Sequence, residues 1–337
     1  MIKATEDLKN LISTPKKVVI TTHRGPDGDA MGSSLGLYHL LIQLGHQVTV
    51  ITPNDYAKFL HWMPANNNVL VYEGNEAKAD VITAAADLIF LLDFSHISRI
   101  ATYADSITMS SATKIMIDHH QDPDTKIADL IFSDTTACST SQLVYEIIDA
   151  MEMTGLMNKE IAECLYVGIM TDTGSFKFAS TTAKTHHIIA ELISNGAENA
   201  KIHDLIYDNS SANRIKLLGY CLNEKLRLYT EHKAAIISLT AQELKQFNFK
   251  KGDTEGIVNF ALGIEGIVFA VFVAEKDGMV KLSLRSKGDF KVNIIANKYF
   301  NGGGHMNASG GVSETTVDQT IIKLEEIIKE YKSELIN

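Results

Sequence analysis

Aspartate and histidine recur in this chain at positions where a strand should end. The first cluster is His23-Arg24-Gly25-Pro26-Asp27-Gly28-Asp29. On an extended segment, residues i and i+2 face the same way, so Asp27 and Asp29 could serve one cation cluster together. Gly25, Pro26 and Gly28 are turn formers that would bring the loop close to such ions. The competing reading is a polar loop with Asp29 as a helix N-cap. Asp93 follows the apolar run 87–92, and Asp118-His119-His120 follows the run 114–117. Asp172 lies in Met170-Thr171-Asp172-Thr173-Gly174-Ser175-Phe176, where it follows a helix and could also cap the next one. This many acids at one sheet edge would repel one another without cations. Hard carboxylates with a few neutral imidazoles suit Mn2+, with Mg2+ or Co2+ as alternatives. The richness of the cluster implies two divalent ions about 3.5–4 Å apart, the spacing of two-metal phosphoryl chemistry.

The second half offers a different chemistry. In Asn301-Gly302-Gly303-Gly304-His305-Met306-Asn307-Ala308-Ser309-Gly310-Gly311, residues 302–305 read as a loop; glycines let backbone N–H groups approach and cradle an anion, and His305 could bind a phosphate or a base. Upstream, Leu284-Arg285-Ser286-Lys287 places a guanidinium at a strand end, where it could grip a phosphate with two bonds.

The elements that must position these residues follow from the apolar pattern. Residues 17–22 are β-branched and short and read as a buried strand; 47–51, 87–92 and 114–117 are further strand candidates. Residues 30–44 carry apolar residues at helical spacing and end at Gly45, a C-cap. Residues 141–151, 159–170, 183–194 and 212–222 read as helices. From residue 227 the texture is strand-like, with a hairpin of 266–274 and 279–286 around Lys276-Asp277-Gly278. The fold class is α/β: an N-terminal domain with a mainly parallel sheet flanked by helices, and a smaller α/β C-terminal domain, joined by a helical linker. The expected boundaries are 1–190 for the metal-binding catalytic domain, 191–212 for the linker and 213–337 for the substrate-binding domain. In such sheets ligands bind at the carboxyl ends of the strands.

Bulk properties agree. A chain of 337 residues suggests two domains, and 45% hydrophobic with 21% charged residues is ordinary for a globular protein. A net charge of −10 disfavours long duplex nucleic acid but not a small phosphorylated ligand. Cys138, Cys164 and Cys221 are odd in number and form no CxxC pair, which argues against a disulfide framework or a thiolate zinc site. The N-terminal stretch is polar, without the apolar core of a signal peptide, and no apolar run reaches the ~18 residues needed to span a bilayer. The expectation is a cytoplasmic protein that does not engage a membrane.

The linked set of motifs resembles the DHH phosphoesterase family. His-x-x-x-Asp-x-Asp, a lone Asp, Asp-His-His and an Asp in Thr-Asp-Thr-Gly-Ser-Phe occur in that order over roughly residues 15–180, and the glycine-rich His motif resembles the family's associated C-terminal domain. The resemblance implies one ion held by His23, Asp27 and Asp93, and a second held by Asp29, Asp93, His119 and Asp172. Asp93 would bridge them, Asp118 would orient a ligand histidine, and His120 would face the substrate phosphate. Asp93, Asp118 and His120 would thus form the catalytic set. Arg285, Ser286, Gly302, Gly303, Gly304, His305 and Asn307 would bind the rest of the substrate. Asn301 replaces the first of four glycines common in relatives, and asparagine tolerates the left-handed conformations a glycine would adopt there. Chain length and C-terminal type resemble the branch that cleaves very short RNA to mononucleotides and removes the 3′-phosphate of 3′-phosphoadenosine 5′-phosphate (pAp). The partners implied are short single-stranded RNA or small nucleotides, with a homodimer as the assembly the family often forms. The alternatives are a phosphodiesterase of c-di-AMP or pApA, an exopolyphosphatase or pyrophosphatase, and a non-enzymatic nucleotide-binding protein.

Overall fold

The computed structural model describes residues 2–276 and 278–336. They form two compact units that divide between Asn209 and Ser210. Asp277, the centre of the expected hairpin turn, lies outside the described residues.

In the first unit, β1 (Lys17–Thr22), β2 (Gln47–Thr52), β3 (Leu70–Val71), β4 (Leu88–Leu92), β5 (Thr113–Asp118) and β6 (Leu130–Ser133) form one sheet in the order β3-β2-β1-β4-β5-β6. Every pairing is parallel. Helices α1 (Ile2–Leu11), α2 (Gly28–Gln43), α3 (Glu76–Ala84), α4 (Ala104–Met109), α5 (Thr140–Ala150), α6 (Lys159–Asp172), α7 (Ala183–Ser194) and α8 (Asn199–Ile206) connect and cover it. The strands read as continuous apolar runs because both faces are buried. Ile20, Phe90 and Ile117 enter one core and Val19, Leu91 and Met116 the other. Strand order reverses between β1 and β4, and Thr22 pairs with Leu92. The next residues, His23 and Asp93, therefore leave the sheet side by side at the topological switch point, where doubly wound folds bind ligands.

Two helices bring the remaining acids to that point. Gly28, Gly32 and Gly36 of α2 recur every four residues and so share one face. A Cβ on Gly32 would stand 2.6 Å from the Cys164 carbonyl oxygen and 2.8 Å from the Gly168 nitrogen of α6. A Cβ on Gly28 would overlap Thr171, and one on Gly36 would stand 2.7 Å from Leu165 Cδ2. The helices thus meet backbone to backbone. Across the contact, Gly168 leaves room for Ser141 at the start of α5 and for Asp29, whose Oδ1 would lie 2.8 Å from its missing Cβ.

In the second unit, β7 (Leu226–Tyr229), β8 (Ala234–Leu239), β9 (Phe269–Lys276), β10 (Met279–Ser286), β11 (Gly303–His305) and β12 (Ala308–Ser313) order as β11-β12-β10-β9-β8-β7. All pairs are antiparallel except β8 with β9. One core packs under α12 (Val292–Phe300) and α13 (Val317–Glu330), the other under α9 (Ala212–Tyr220), α10 (Ala241–Gln246) and α11 (Ile257–Leu262); α14 (Lys332–Ile336) follows. The glycine-rich stretch expected as a loop is the edge strand β11. Its glycines admit neighbouring backbone: a Cβ on Gly302 would overlap the Gly310 carbonyl, and one on Gly304, at φ +136°, would lie 2.7 Å from the Ala308 carbonyl. The segment 191–212 holds the end of α7, all of α8 and the first residue of α9. Among the described residues, no helix is long and apolar enough to cross a membrane.

Intrinsic propensity favours alanine over glycine within a helix by about 1 kcal/mol. At Gly32 the sign should reverse. Gly32→Ala is expected to lower the stability of the first unit by about 1–3 kcal/mol through overpacking, read as a lower urea midpoint at unchanged slope. A higher midpoint would show that the two backbones part easily.

Candidate active site

Asp27 has the extended backbone expected of it, at φ −101° and ψ −165°, but it is the N-cap of α2, and its carboxylate accepts from the N–H groups of Asp29 and Ala30 at 3.0 Å each. Asp29 stands inside the first helical turn. The local side-chain bond outcompetes extension because a helix leaves its first N–H groups without intrahelical partners. The two aspartates consequently join different groups. His23, Asp27 and Asp93 form one, and Asp29, Asp93 and His119 another, each with ligand atoms within 4.8 Å of one another. Asp93 belongs to both. Its Oδ2 lies 3.4 Å from His23 Nε2, while its Oδ1 lies 3.6 Å from His119 Nε2 and accepts the Thr140 hydroxyl at 3.0 Å.

Each carboxylate is placed by a specific constraint. Asp93 follows β4 at φ +65°, a left-handed conformation that aspartate tolerates better than most residues. Asp29 accepts from two N–H groups of the first turn of α5, Thr140 at 2.6 Å and Ser141 at 2.9 Å. Asp172 ends α6 and lies 3.4 Å from His119 Nε2. Directly after it, Gly174, Ser175 and Phe176 are all left-handed, at φ 56°, 61° and 66°. Such residues cost roughly 1–2 kcal/mol each when they are not glycine. The turn is held by Ser175 N–H to the Met170 carbonyl at 2.8 Å and Phe176 N–H to Thr173 Oγ1 at 3.0 Å. His203 of α8 donates from Nδ1 to the Asn199 carbonyl at 2.8 Å, which leaves Nε2 to accept the Ser175 hydroxyl at 3.2 Å.

The imidazoles are oriented the same way. His23 donates Nδ1–H to the Arg24 carbonyl at 3.1 Å, and His119 donates Nδ1–H to the Ala137 carbonyl at 3.2 Å. Each Nε2 then faces carboxylates: Asp27 and Asp93 for His23; Asp29, Asp93 and Asp172 for His119. A ring nitrogen aimed at carboxylates is repelled unless a proton or a metal cation stands between them, and ligand histidines are commonly oriented through the other nitrogen in this manner. His120 donates Nδ1–H to Asp118 Oδ1 at 2.7 Å; the second Asp118 oxygen is buried without a hydrogen-bond partner among the described residues.

Proton affinities record the crowding. Burial, then the Asp29 and Asp27 charges, pushes Asp93 well above the usual carboxylate range. Burial raises Asp29, against the pull of His119. Asp27 is held low: burial opposes its ionisation, but His23 and the Ala30 N–H outweigh it. Asp118 is also held low against burial, by its bond to His120. Burial lowers His23 and His120. Burial would lower His119 too, but the Asp172, Asp93 and Asp29 charges override it and hold it at about 9.

In the second unit, Arg285 pairs with Ala308, which pairs with His305, so the two cationic candidates flank one residue on a single row of the sheet. Asn307 Nδ2 donates to Ser286 Oγ and to the Gly288 carbonyl, both at 2.9 Å, while the Ser286 hydroxyl donates to the Phe290 carbonyl at 2.5 Å. Ser286 and Asn307 therefore fix the turn after β10. Gly302, Gly303 and Gly304 run up to and along β11 beside β12. Sequence reasoning had no signal for Thr140, Ser141 or His203, which act only through the tertiary fold.

Comparisons with known proteins give the family of the chain. Residues 17–169 match the DHH family N-terminal domain and residues 233–337 match the DHHA1 domain. The chain is 31% identical, over 97% of its length and 99% of the relative's, to the bifunctional oligoribonuclease and PAP phosphatase NrnA of Bacillus subtilis (strain 168). Among solved structures, an exopolyphosphatase-related protein from Bacteroides fragilis superposes with a TM-score of 0.95 at 39% identity, covering 100% of this chain and 98% of that one. RecJ in complex with Mn2+ from Thermus thermophilus shares the fold at 13% identity and a TM-score of 0.57, covering 99% of this chain and 54% of that one. The chain belongs to the DHH family. It is a phosphoesterase of that family, a hydrolase of phosphate esters.

The fold carries the cost of the crowded carboxylates when no cation is bound. Asp93 binds its proton more tightly folded than unfolded, so it withdraws stability as pH rises from about 4 through its folded value. In chelator-treated protein at neutral pH, Asp93→Asn should raise the melting temperature by several degrees, since about 1 kcal/mol moves it roughly 2–4 °C in a unit of this size. An unchanged or lower melting temperature would mean that the carboxylate is not electrostatically strained.

Proposed function

We propose that this phosphoesterase hydrolyses very short oligoribonucleotides to mononucleotides and pAp to AMP, and that it does so with two divalent cations, manganese by ligand chemistry. His23, Asp27 and Asp93 would hold one ion; Asp29, Asp93, His119 and Asp172 would hold the other. The observation that carries the assignment is Asp93, whose two oxygens face two separate His/Asp groups. A donor set of carboxylates and imidazoles, with no cysteine in it among the described residues, supports a hard or borderline ion. The substrate class is supported by the relative named for both activities. A net charge of −10 also fits a short anionic substrate better than a long one.

The chemistry such ions supply when bound is activation of water near neutral pH and neutralisation of charge on phosphoryl oxygens. The remaining work falls to this chain. Asp118 fixes the tautomer and orientation of His120, the most open of the three cluster histidines at 13% side-chain exposure against 7% and 5%. His120 would meet the phosphoryl oxygens through Nε2 and, with a proton there, stabilise charge on them. Arg285 and His305, on one row of the second sheet, would take the part of the nucleotide that does not react, with Gly302, Gly303 and Gly304 offering backbone N–H groups alongside.

Purified protein with Mn2+ should release AMP from pAp and from the linear dinucleotide pApA, and chelator should abolish both. Cleavage of inorganic polyphosphate alone would overturn the nucleotide reading and favour a polyphosphatase. His305→Ala should raise KM for pAp by about tenfold or more, as loss of a hydrogen bond to a charged group predicts, with kcat little changed. An unchanged KM would remove His305 from the substrate site.

A further inference from the structure

Arg99 lies in the 3-10 helix Ile97–Tyr103, six residues after Asp93. Its carbonyl accepts the Arg24 N–H at 2.7 Å, which ties this segment to the loop that carries His23 and Asp27. Two residues later Ala101 stands at φ 51°, ψ −130°, a left-handed conformation that alanine rarely adopts. The segment is thus held tightly where strand order reverses. The two arginines of this corner differ in what they do. Arg24 pairs with Glu73 at 3.1 Å. Arg99 is half-buried, and among the described residues its guanidinium makes neither a hydrogen bond nor an ion pair. Its charge nevertheless lies within electrostatic reach of Asp27, His23 and His120. Asp27, with about half of its side chain exposed, is the most open member of that cluster, and His120 is the most open of its histidines. A planar fork of donors without a partner, beside the open face of a phosphoesterase site, matches two oxygens of one phosphoryl group.

We propose that Arg99 is a substrate-binding residue of the first unit, its guanidinium holding non-bridging oxygens of the phosphoryl group that undergoes hydrolysis. This rests on the phosphoesterase site assigned above but not on which nucleotide is preferred. The rival role is a fixed counter-ion for the carboxylates, and the two roles separate experimentally. With substrate binding, Arg99→Ala should lower kcat/KM about ten- to a hundredfold on whichever ester the parent cleaves, the loss of one charged hydrogen-bonding group. Arg99→Lys, which keeps the charge but not the fork, should recover only part of it. Binding of inorganic phosphate to the Mn2+-loaded protein, read by calorimetry, should weaken to a similar degree. Mn2+ affinity itself should hold or tighten, because a like charge has been removed.

Arg99→Ala with phosphate affinity and kcat/KM within twofold of the parent would overturn the assignment. So would a Mn2+ affinity that falls in step with activity, or full recovery by Arg99→Lys, since both describe a counter-ion. A parent that cleaves only polyphosphate would refute the nucleotide reading and leave the phosphate-binding comparison as the test of Arg99. Matched melting temperatures of parent and Arg99→Lys would show that the effects do not arise from misfolding.

Discussion

The backbones of α2 and α6 touch at Gly32, and the geometry of the candidate site follows from that contact. α2 begins at the Asp27 cap and carries Asp29 in its first turn; α6 ends on Asp172. Side chains at Gly28, Gly32 or Gly168 would part the helices and move those ends away from the strand termini that carry His23, Asp93 and His119. The same contact admits the start of α5, whose N–H groups take the Asp29 carboxylate. A helix N-terminus is one of the few neutral structures that favours a buried anion, so the packing places an acid and stabilises its charge at once.

Electrostatics sets the opposite demand. Asp29 and Asp93 are 1% and 2% exposed and stand near like charges, an arrangement that costs stability unless a cation is supplied. Backbone strain adds to it, with left-handed φ at Asp93, Ala101, Ser175 and Phe176. Strain of this kind persists where the surrounding packing over-determines it. Here the rigid two-faced sheet and the helix contact do so. The balance of stability therefore lies in the apolar cores, while the site is a region of local cost that ligand binding relieves.

Much of this was legible in the sequence. The runs at 17–22, 87–92 and 114–117 are apolar because a parallel sheet buries both faces of a strand, and that signal survives without any partner in view. The ordered Asp and His motifs likewise pointed to the residues that converge. The features that stayed hidden depend on register or on distance across the fold. Asp27 and Asp29 alternate as they would on a strand, but the local cap bond made a helix instead. The spacing of Gly28, Gly32 and Gly36 was visible, yet glycines at helical spacing lower helix propensity, and only the close approach of α6 explains them. β11 was read as a loop because glycine is a poor strand former; neighbouring backbone, not propensity, places it in the sheet. Arg99 carried no spacing signal, since its charge comes within reach of His23, Asp27 and His120 only through the loops that fold over the switch point.

Under the proposed function, recognition and chemistry are built by different rules. The proposed substrate residues of the second sheet sit on a regular β lattice: Arg285, Ala308 and His305 occupy one row, with neighbouring strands about 4.8 Å apart. Two cationic or polar side chains separated by one small residue span roughly two strand spacings, on the scale of a phosphate with its adjoining sugar. Ala308 between them leaves the row open. The neighbouring Ser286 and Asn307 hold the turn after β10 through three hydrogen bonds, which fixes the end of the strand that carries Arg285. The lattice supplies spacing without strain, whereas the first unit must strain loops and crowd charges to reach its geometry. A surface that only binds can be rigid and relaxed. A centre that must concentrate positive charge at a reacting phosphorus is built from groups that repel one another until substrate and cations arrive.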